Sequence, residues 1–154
     1  SGGLFQMVQL WVNLPAKYKK TKPKYQDLKK ELQGRYLLPD GLGEVAVIAG
    51  EFKGTKGAAY TFSPMQVYNL KLKKGANLEL SFPKTDNTGM LMIEGEAKVN
   101  DETAKTDHFV LFNHDGDVIQ VTATEDAAML ILSGEPINEP IAAYGPFLMN
   151  TWPE

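Results

Sequence analysis

The chain has 154 residues, a formal net charge of −3 and no cysteine. This length can bury a core without a disulfide or a metal. The lack of cysteine excludes disulfides and a thiolate nucleophile and fits a reducing compartment, so we expect a cytoplasmic protein. The sequence contains neither an apolar run of about 18 residues nor a signal-peptide pattern, so we expect no membrane association.

The first predicted element is an apolar segment from Leu4 to Leu14, which ends at Pro15. Its composition predicts an N-terminal extended strand. Large apolar side chains in such a strand need a cover, either from a core or from a partner. The residues that we expect at a dimer or interdomain interface are Phe5, Met7, Leu10, Trp11 and Val12.

A lysine-rich connection follows, with seven lysines and one acidic residue between Pro15 and Lys30. Such a run forms either a patch for nucleic acid or a solvated linker. The run has no arginine and few aromatic residues, which favours the linker and makes nucleic acid an unexpected partner. Tyr25 to Leu32 is predicted to form two helical turns, because Leu28 and Leu32 are four residues apart.

From Glu44 onward, short β-forming runs alternate with turn signals. Leu78, Leu80 and Phe82 alternate with polar residues, as a half-buried strand requires. Met90 to Ile93 is apolar on both faces, which predicts a strand covered on both sides. Seven or more short strands at this spacing predict an all-β sandwich or barrel, such as a jelly roll. The predicted strands are 45–49, 67–72, 78–82, 90–93, 109–112, 118–121 and 127–132.

Four segments give this β domain a family resemblance. They are Gln9–Ala16 (QLWVNLPA), Tyr25–Leu28 (YQDL), Ser133–Ile141 (SGEPINEPI) and Gly145–Thr151 (GPFLMNT). In order and spacing they resemble the C-terminal half of pirins. The closing motif is carried by Gly145, Pro146, Phe147, Met149, Asn150 and Thr151.

The resemblance implies an all-β, cupin-type double-stranded β-helix (a jelly roll), with the N-terminal strand and a short helical connection. The resemblance also implies that the intact protein has two cupins, as pirins do. Their N-terminal cupin holds a metal, typically iron, through three histidines and a glutamate. Some family members cleave the flavonol quercetin with dioxygen, and others act as regulators. On this resemblance, the chain is the metal-free C-terminal cupin.

The positions that a cupin metal site would use carry no suitable ligands in this chain. A cupin needs a His-x-His pair because alternate residues of a strand point to the same side. Placing the first motif between Gly75 and Gly95 puts the histidines near Ser81 and Pro83 and the carboxylate near Asn87 or Thr88. The second motif, anchored at Gly116 and Asp117, puts its histidine near Ala127 or Ala128.

The chain has two histidines, His108 and His114. Together with Glu94 they are weak candidates for a different metal site, and such histidines more often form ordinary hydrogen bonds. No Gly-x-Ser-x-Gly elbow or phosphate-binding glycine loop occurs. No catalytic residue is therefore predicted. The aromatic and methionine side chains Phe82, Met92, Phe109 and Phe112 either fill the interior or line a ligand cavity.

These observations predict three regions: an N-terminal strand or inter-cupin segment (1–16), a lysine-rich connection (17–43) and the cupin barrel (44–154). The favoured function is the structural and interaction half of an iron-binding double cupin. The partner is then the N-terminal cupin of the intact protein, or a second copy through strand exchange. Two alternatives remain: part of a quercetin 2,3-dioxygenase, and a barrel that binds a small ligand.

Overall fold

A computed structural model describes residues 2–154, which form two compact units. The larger unit is residues 23–136, and the smaller unit joins the chain up to Lys22 with Ile137–Glu154. The larger unit contains strands β1 (Gly34–Leu37), β2 (Gly43–Ala49), β3 (Glu51–Phe52), β4 (Thr55–Lys56), β5 (Met65–Leu72), β6 (Asn77–Ser81), β7 (Asn87–Glu94), β8 (Glu96–Val99), β9 (Glu102–Lys105), β10 (Phe109–Leu111), β11 (Val118–Ala123) and β12 (Ala127–Gly134).

Two antiparallel sheets make up most of the larger unit. One has six strands in the order β1-β2-β5-β12-β7-β10, and the other has four in the order β6-β11-β8-β9. β3 and β4 form a separate small hairpin. The sheets do not close into a barrel, because β9 and β10 end their sheets without pairing to each other. The seven predicted strands all correspond to strands of the structure, and the all-β cupin-type prediction is confirmed.

The core lies between the two sheets because alternate residues of each strand point inward. Leu78 and Leu80 of β6 face Met90 and Met92 of β7 in one continuous buried cluster. Met129 of β12 joins the same cluster and is fully buried. Flexible thioethers fill irregular gaps between strands, which explains why three methionines occupy the centre of this core.

An aromatic chain extends from the edge of the six-stranded sheet into the core. The rings of Tyr36 and Phe52 meet edge-on at 5.2 Å, and Phe52 meets Tyr68 at 5.5 Å. Tyr68 then approaches Phe82 at 5.8 Å. These separations are typical of favourable aromatic pairs, so the β3–β4 hairpin is held to the sheet by ring contacts as well as by its neighbours in the chain.

The predicted helix over residues 25–32 is wrong for most of its length. The structure has a single 3₁₀ turn there, at Lys30–Leu32. Two turns of helix are marginal without packing, and Leu32 stays exposed. Gln26 instead holds the chain extended, because its side chain accepts from the Tyr60 N–H at 2.8 Å and donates to the Tyr60 carbonyl at 3.1 Å.

The smaller unit contains a 3₁₀ turn at Ala16–Tyr18 and a hairpin of β13 (Ala142–Tyr144) and β14 (Phe147–Met149). Residues 2–15 form no strand, so the predicted N-terminal strand is not formed. A strand requires a neighbour for its backbone groups, and within residues 2–154 none pairs with this segment. No helix in that range is long and apolar enough to cross a membrane.

Candidate functional site

The larger unit has a cleft at one end of its two sheets, with a volume of about 370 Å³. Its base is apolar and includes Phe82, Val110 and Ile119. This is the size range of small-molecule sites, and the excess of carboxylates gives the rim a negative potential. The charged groups at the rim are Lys84, Asp86, Asp101, Glu102, Asp115 and Asp117.

Two buried hydroxyl groups lie next to this cleft. Thr88 Oγ1 and Ser133 Oγ are 2.8 Å apart, on the adjacent strands β7 and β12. Ser133 also approaches Asp86 Oδ2 at 3.4 Å. Buried hydroxyls require partners, so each of these two residues depends on the other. Thr88 is one of the positions where the sequence alignment placed a metal-binding carboxylate, and here it makes a structural hydrogen bond.

The other positions predicted for metal ligands do not form a site. Ser81 and Pro83 are exposed, and Ala127 is buried in the core. Within residues 2–154, no group of three or more His, Cys, Asp or Glu side chains is placed to hold a metal ion. Iron bound by three histidines and a glutamate therefore does not fit the residues of this chain.

The structure places His108, His114 and Glu94 in separate ordinary roles. His108 lies in the turn before β10, where its Nδ1 accepts from the Lys105 N–H at 3.2 Å. His114 Nδ1 donates to the Lys84 carbonyl at 2.8 Å. Glu94 is exposed at the end of β7. Both histidines are exposed and act as turn groups.

The interior between the sheets is filled by side chains. Phe82 and Met92 are buried in the core, and Phe112 packs against it. Phe109 points the other way and is 58% exposed. Of the four residues that the sequence left open as plug or lining, Met92 fills the core, Phe82 both fills the core and lines the cleft, Phe112 lines the cleft, and Phe109 lies on the outer face.

The closing motif forms the turn and second strand of the β13–β14 hairpin. Tyr144 pairs with Phe147, so Gly145 and Pro146 are the two turn residues. Gly145 has a φ of +56°, and proline fixes the next φ near −65°. A positive φ followed by a negative one is the sign pattern of a type II′ turn, which matches the twist of a two-residue hairpin.

Glu139 and Asn150 form a polar centre in the smaller unit. Glu139 Oε2 accepts from the Ala16 N–H at 2.6 Å and from Asn150 Nδ2 at 3.1 Å. Asn150 Nδ2 also donates to the Pro140 carbonyl at 3.1 Å. The Asn150 Oδ1 atom is buried without a hydrogen-bond partner. One carboxylate thus joins the N-terminal segment, the chain before the hairpin and the chain after it.

A second polar contact fixes the end of the apolar N-terminal segment. Asn13 Oδ1 accepts from the Leu14 N–H at 2.9 Å and from Lys19 Nζ. Sequence reasoning missed Glu139, Asn13 and Lys19 as organising residues. An asparagine directly before Leu-Pro is a recognisable turn signal, but nothing in the sequence pairs Glu139 with a backbone amide 123 residues away.

The apolar side chains of the N-terminal segment are exposed. Phe5 is 81% exposed and Trp11 is 66% exposed. Residues 9–14 and 146–149, together with Lys19, line a groove of about 440 Å³. Contiguous exposed apolar groups mark an interaction surface. We call the exposed apolar residues of this region the N-terminal apolar segment; they are Leu4, Phe5, Met7, Val8, Leu10, Trp11 and Val12.

Two facing antiparallel sheets with a cleft at one end define a cupin-type domain. Residues 67–154, more than half of the chain, match the sequence profile of the pirin C-terminal cupin domain. The chain therefore belongs to the pirin family, as its C-terminal cupin domain.

Relatives and solved structures agree with this assignment. A Pseudomonas aeruginosa protein with the provisional name quercetin 2,3-dioxygenase is 40% identical over 98% of this chain and 53% of its own length. Human pirin is 34% identical over 94% of this chain and 51% of its own. The crystal structure of quercetin 2,3-dioxygenase from Acinetobacter baumannii matches with a TM-score of 0.89 and 39% identity, covering 93% of this chain and 50% of that one. The chain thus spans about half the length of the relatives it matches.

Proposed function

We propose that this domain is the structural and interaction half of a longer protein with two cupins. The observation that supports the proposal is the N-terminal apolar segment, whose large side chains are exposed in the smaller unit. Removing one Leu or Phe side chain from water contributes about 1.5–3 kcal/mol. Seven such side chains supply enough free energy to hold two domains together.

The proposed occupant of this surface is the other half of the same protein. The relatives are about twice as long as this chain, with 53% and 51% of their lengths covered, so the proposed partner has about the size of a second cupin. Residues 2–15 of the smaller unit also pair with no strand, and an apolar segment without a strand partner is ready to add to a sheet. A second copy, through strand exchange, is the competing occupant.

Co-expression of residues 1–154 with the complementary half as a separate chain tests this proposal. We expect the two chains to purify together as a one-to-one complex. Phe5→Lys with Trp11→Lys is expected to weaken the complex at least tenfold, because both charges would be buried. Leu37→Lys is the matched control, since Leu37 is 69% exposed and lies on the larger unit.

The outcomes separate the occupants. A complex that resists the double substitution as well as the control does would refute the role of the N-terminal apolar segment. A homodimer that forms in place of the complex, and that the double substitution abolishes, would assign the segment to a second copy instead.

We further propose that quercetin-type dioxygenase activity and iron, where the intact protein has them, reside in the half outside this chain. This rests on the lack of a fitting ligand set within residues 2–154 and on the names of two relatives. A cytoplasmic location is part of the same proposal, supported by the absence of cysteine. Enzyme activity and iron that are found in the separately expressed complementary half, and neither of them in residues 1–154 alone, would support it.

The cleft of about 370 Å³ favours a second function, the binding of a small ligand. Its apolar base and carboxylate rim suit a molecule with an apolar body and a positively charged end. NMR titration of the domain with simple aryl-amines, such as benzylamine, tests this function. Shifts confined to Phe82, Phe112 and Ile119 would support it, and an unchanged spectrum at millimolar ligand would refute it.

A further inference from the structure

β10 is an edge strand of the six-stranded sheet, and no strand of residues 2–154 pairs with its outer side. Beside it runs a groove of about 480 Å³, lined by β9 and β10, on the open side between the two sheets. An open strand edge carries unsatisfied N–H and C=O groups and pairs readily with another strand. The unpaired edge of β10 is therefore a candidate interaction surface.

The other sheet edges are protected, and β10 is not. β1 is covered by the small hairpin, since a Cβ on Gly34 would lie 2.3 Å from the Lys56 carbonyl oxygen. β6 carries Glu79, and β9 carries Glu102 and Lys105. Charged side chains and covering loops are the usual means of blocking edge-to-edge association. β10 has the sequence Phe-Val-Leu, with neither a charge nor a proline.

The outward backbone groups of β10 belong to Phe109 and Leu111. Val110 lies opposite Met90, and the Phe112 N–H donates to the Thr88 carbonyl at 3.0 Å. Hydrogen bonding toward one neighbour alternates along an antiparallel strand. Since residue 112 bonds toward β7, residues 109 and 111 direct their N–H and C=O groups away from it.

The side chains of the same two residues form an exposed apolar pair on the outer face. Phe109 is 58% exposed and Leu111 is 75% exposed. The Phe109 ring lies across Gly89 of β7, where a Cβ would meet Cζ of the ring at 2.6 Å. Leu91, next to Phe109 in the register, is partly buried on that face. The exposed pair thus continues an apolar layer of the sheet.

This edge is complementary to itself. In an antiparallel pair of two β10 strands with a two-fold axis at Val110, Phe109 of one copy lies opposite Leu111 of the other. Each such pair exchanges two backbone hydrogen bonds, and aromatic–aliphatic pairs across strands add about 0.2–1 kcal/mol each. β10 itself carries no charged residue, so no like charges face each other across the axis.

We propose that β10 is a homotypic docking edge, through which two copies join their six-stranded sheets into one continuous sheet. The contact is isologous and closes at two copies. Because the strand has three residues, the buried area is well below that of a permanent dimer. The dimer is weak, and it forms at high concentration or when other contacts bring two copies together. This proposal does not depend on the role of the N-terminal apolar segment.

Sedimentation equilibrium of the whole chain up to millimolar concentration tests the edge. We expect a monomer–dimer equilibrium, and Leu111→Lys is expected to raise the dissociation constant at least tenfold. Val118→Lys is the matched control, because Val118 is 45% exposed and lies on β11, which is inside its sheet. The combined Phe5→Lys and Trp11→Lys variant separates this dimer from association through the N-terminal apolar segment.

A distance measurement identifies the register. The chain has no cysteine, so Asn113→Cys gives a single site for a spin label. In the proposed dimer the two Asn113 positions are six residues apart along the paired strands, about 20 Å at about 3.4 Å per residue. A peak near this distance that Leu111→Lys removes supports the edge. A strictly monomeric chain, a dimer that survives Leu111→Lys, or a clearly different distance would overturn it.

Discussion

At the residue scale, the Thr88–Ser133 pair shows what the candidate metal position does in this domain. Thr88, one of the two positions to which the sequence alignment assigned a carboxylate ligand, is buried and lies 2.8 Å from the buried Ser133 hydroxyl. A hydroxyl left without its partner costs about 1–3 kcal/mol, whereas replacing both groups by apolar ones of similar shape is nearly neutral. The pair is therefore a structural contact between β7 and β12.

Ser133→Ala is expected to lower the free energy of unfolding by about 1–2 kcal/mol, because Thr88 loses its buried partner. Thr88→Val combined with Ser133→Ala is expected to recover part of that loss. Urea unfolding of both single variants and the double variant measures the coupling. Thr103→Ala, at an exposed position, is the control. Additive losses in the double variant would contradict the pairing.

Tyr68 gives the domain a pH dependence on the alkaline side. Burial, with a smaller contribution from Glu51, raises the pKa of Tyr68 to about 12. The unfolded chain releases this proton near a pH of about 10, so the folded state keeps the proton up to a higher pH than the unfolded chain does. The stabilising contribution of Tyr68 is complete below a pH of about 10 and is lost as the pH rises toward about 12.

Tyr68→Phe is expected to reduce stability by about 1 kcal/mol below that range, because the hydroxyl donates to the Glu51 carbonyl at 2.6 Å. The difference from the unsubstituted chain is expected to shrink as the pH rises through the range. Thermal melts at a series of alkaline pH values measure it. Tyr144→Phe, at an exposed position, serves for comparison, and a gap that widens with pH would count against the argument.

At the scale of elements, Glu139 holds the smaller unit together. Glu139→Ala removes the acceptor of the Ala16 N–H and one acceptor of Asn150. We expect the Ala16 amide to exchange its hydrogen at least tenfold faster, while amides of β7 and β12 keep their rates. Hydrogen exchange followed by mass spectrometry measures both. Glu135→Ala is the control, and equal rates in the two variants would rule out this role.

The sequence predicted the strands that carry strong apolar alternation and missed those that do not. β5, β7 and β12 follow the period-two or fully apolar patterns and were found. β8 and β9 are four residues long and each carries two charged residues, so only their sheet neighbours make them strands. The helix over 25–32 failed because Gln26 bonds to a distant backbone, which no local pattern reveals.

In the smaller unit, too, sequence patterns revealed the local motif but not its tertiary contacts. The closing motif was recognised as a motif, and its Gly-Pro pair predicts a turn. Its link to residue 16 through Glu139 depends on tertiary contacts alone. The metal-ligand positions could be examined in the sequence because strand alternation fixes which residues share a face.

At the scale of the whole molecule, the domain by itself is expected to retain no transition metal. Purified residues 1–154, loaded with iron, nickel or zinc and then dialysed against a chelator, should contain well under one metal ion per chain. The reason is the lack of three convergent ligands within the described residues. Elemental analysis by mass spectrometry decides it, and a stoichiometric ion that survives chelation would refute the expectation.

The uncovered N-terminal residues also have a cost for the molecule. Residues 4–14 contain no charge, no proline and no glycine, and such windows are the ones that stack into cross-β fibrils. A newly synthesised chain or a proteolytic fragment in which these residues stay uncovered is therefore prone to form amyloid. In the proposed protein with two cupins, a second cupin on the same polypeptide would cover these residues soon after synthesis and so limit this aggregation.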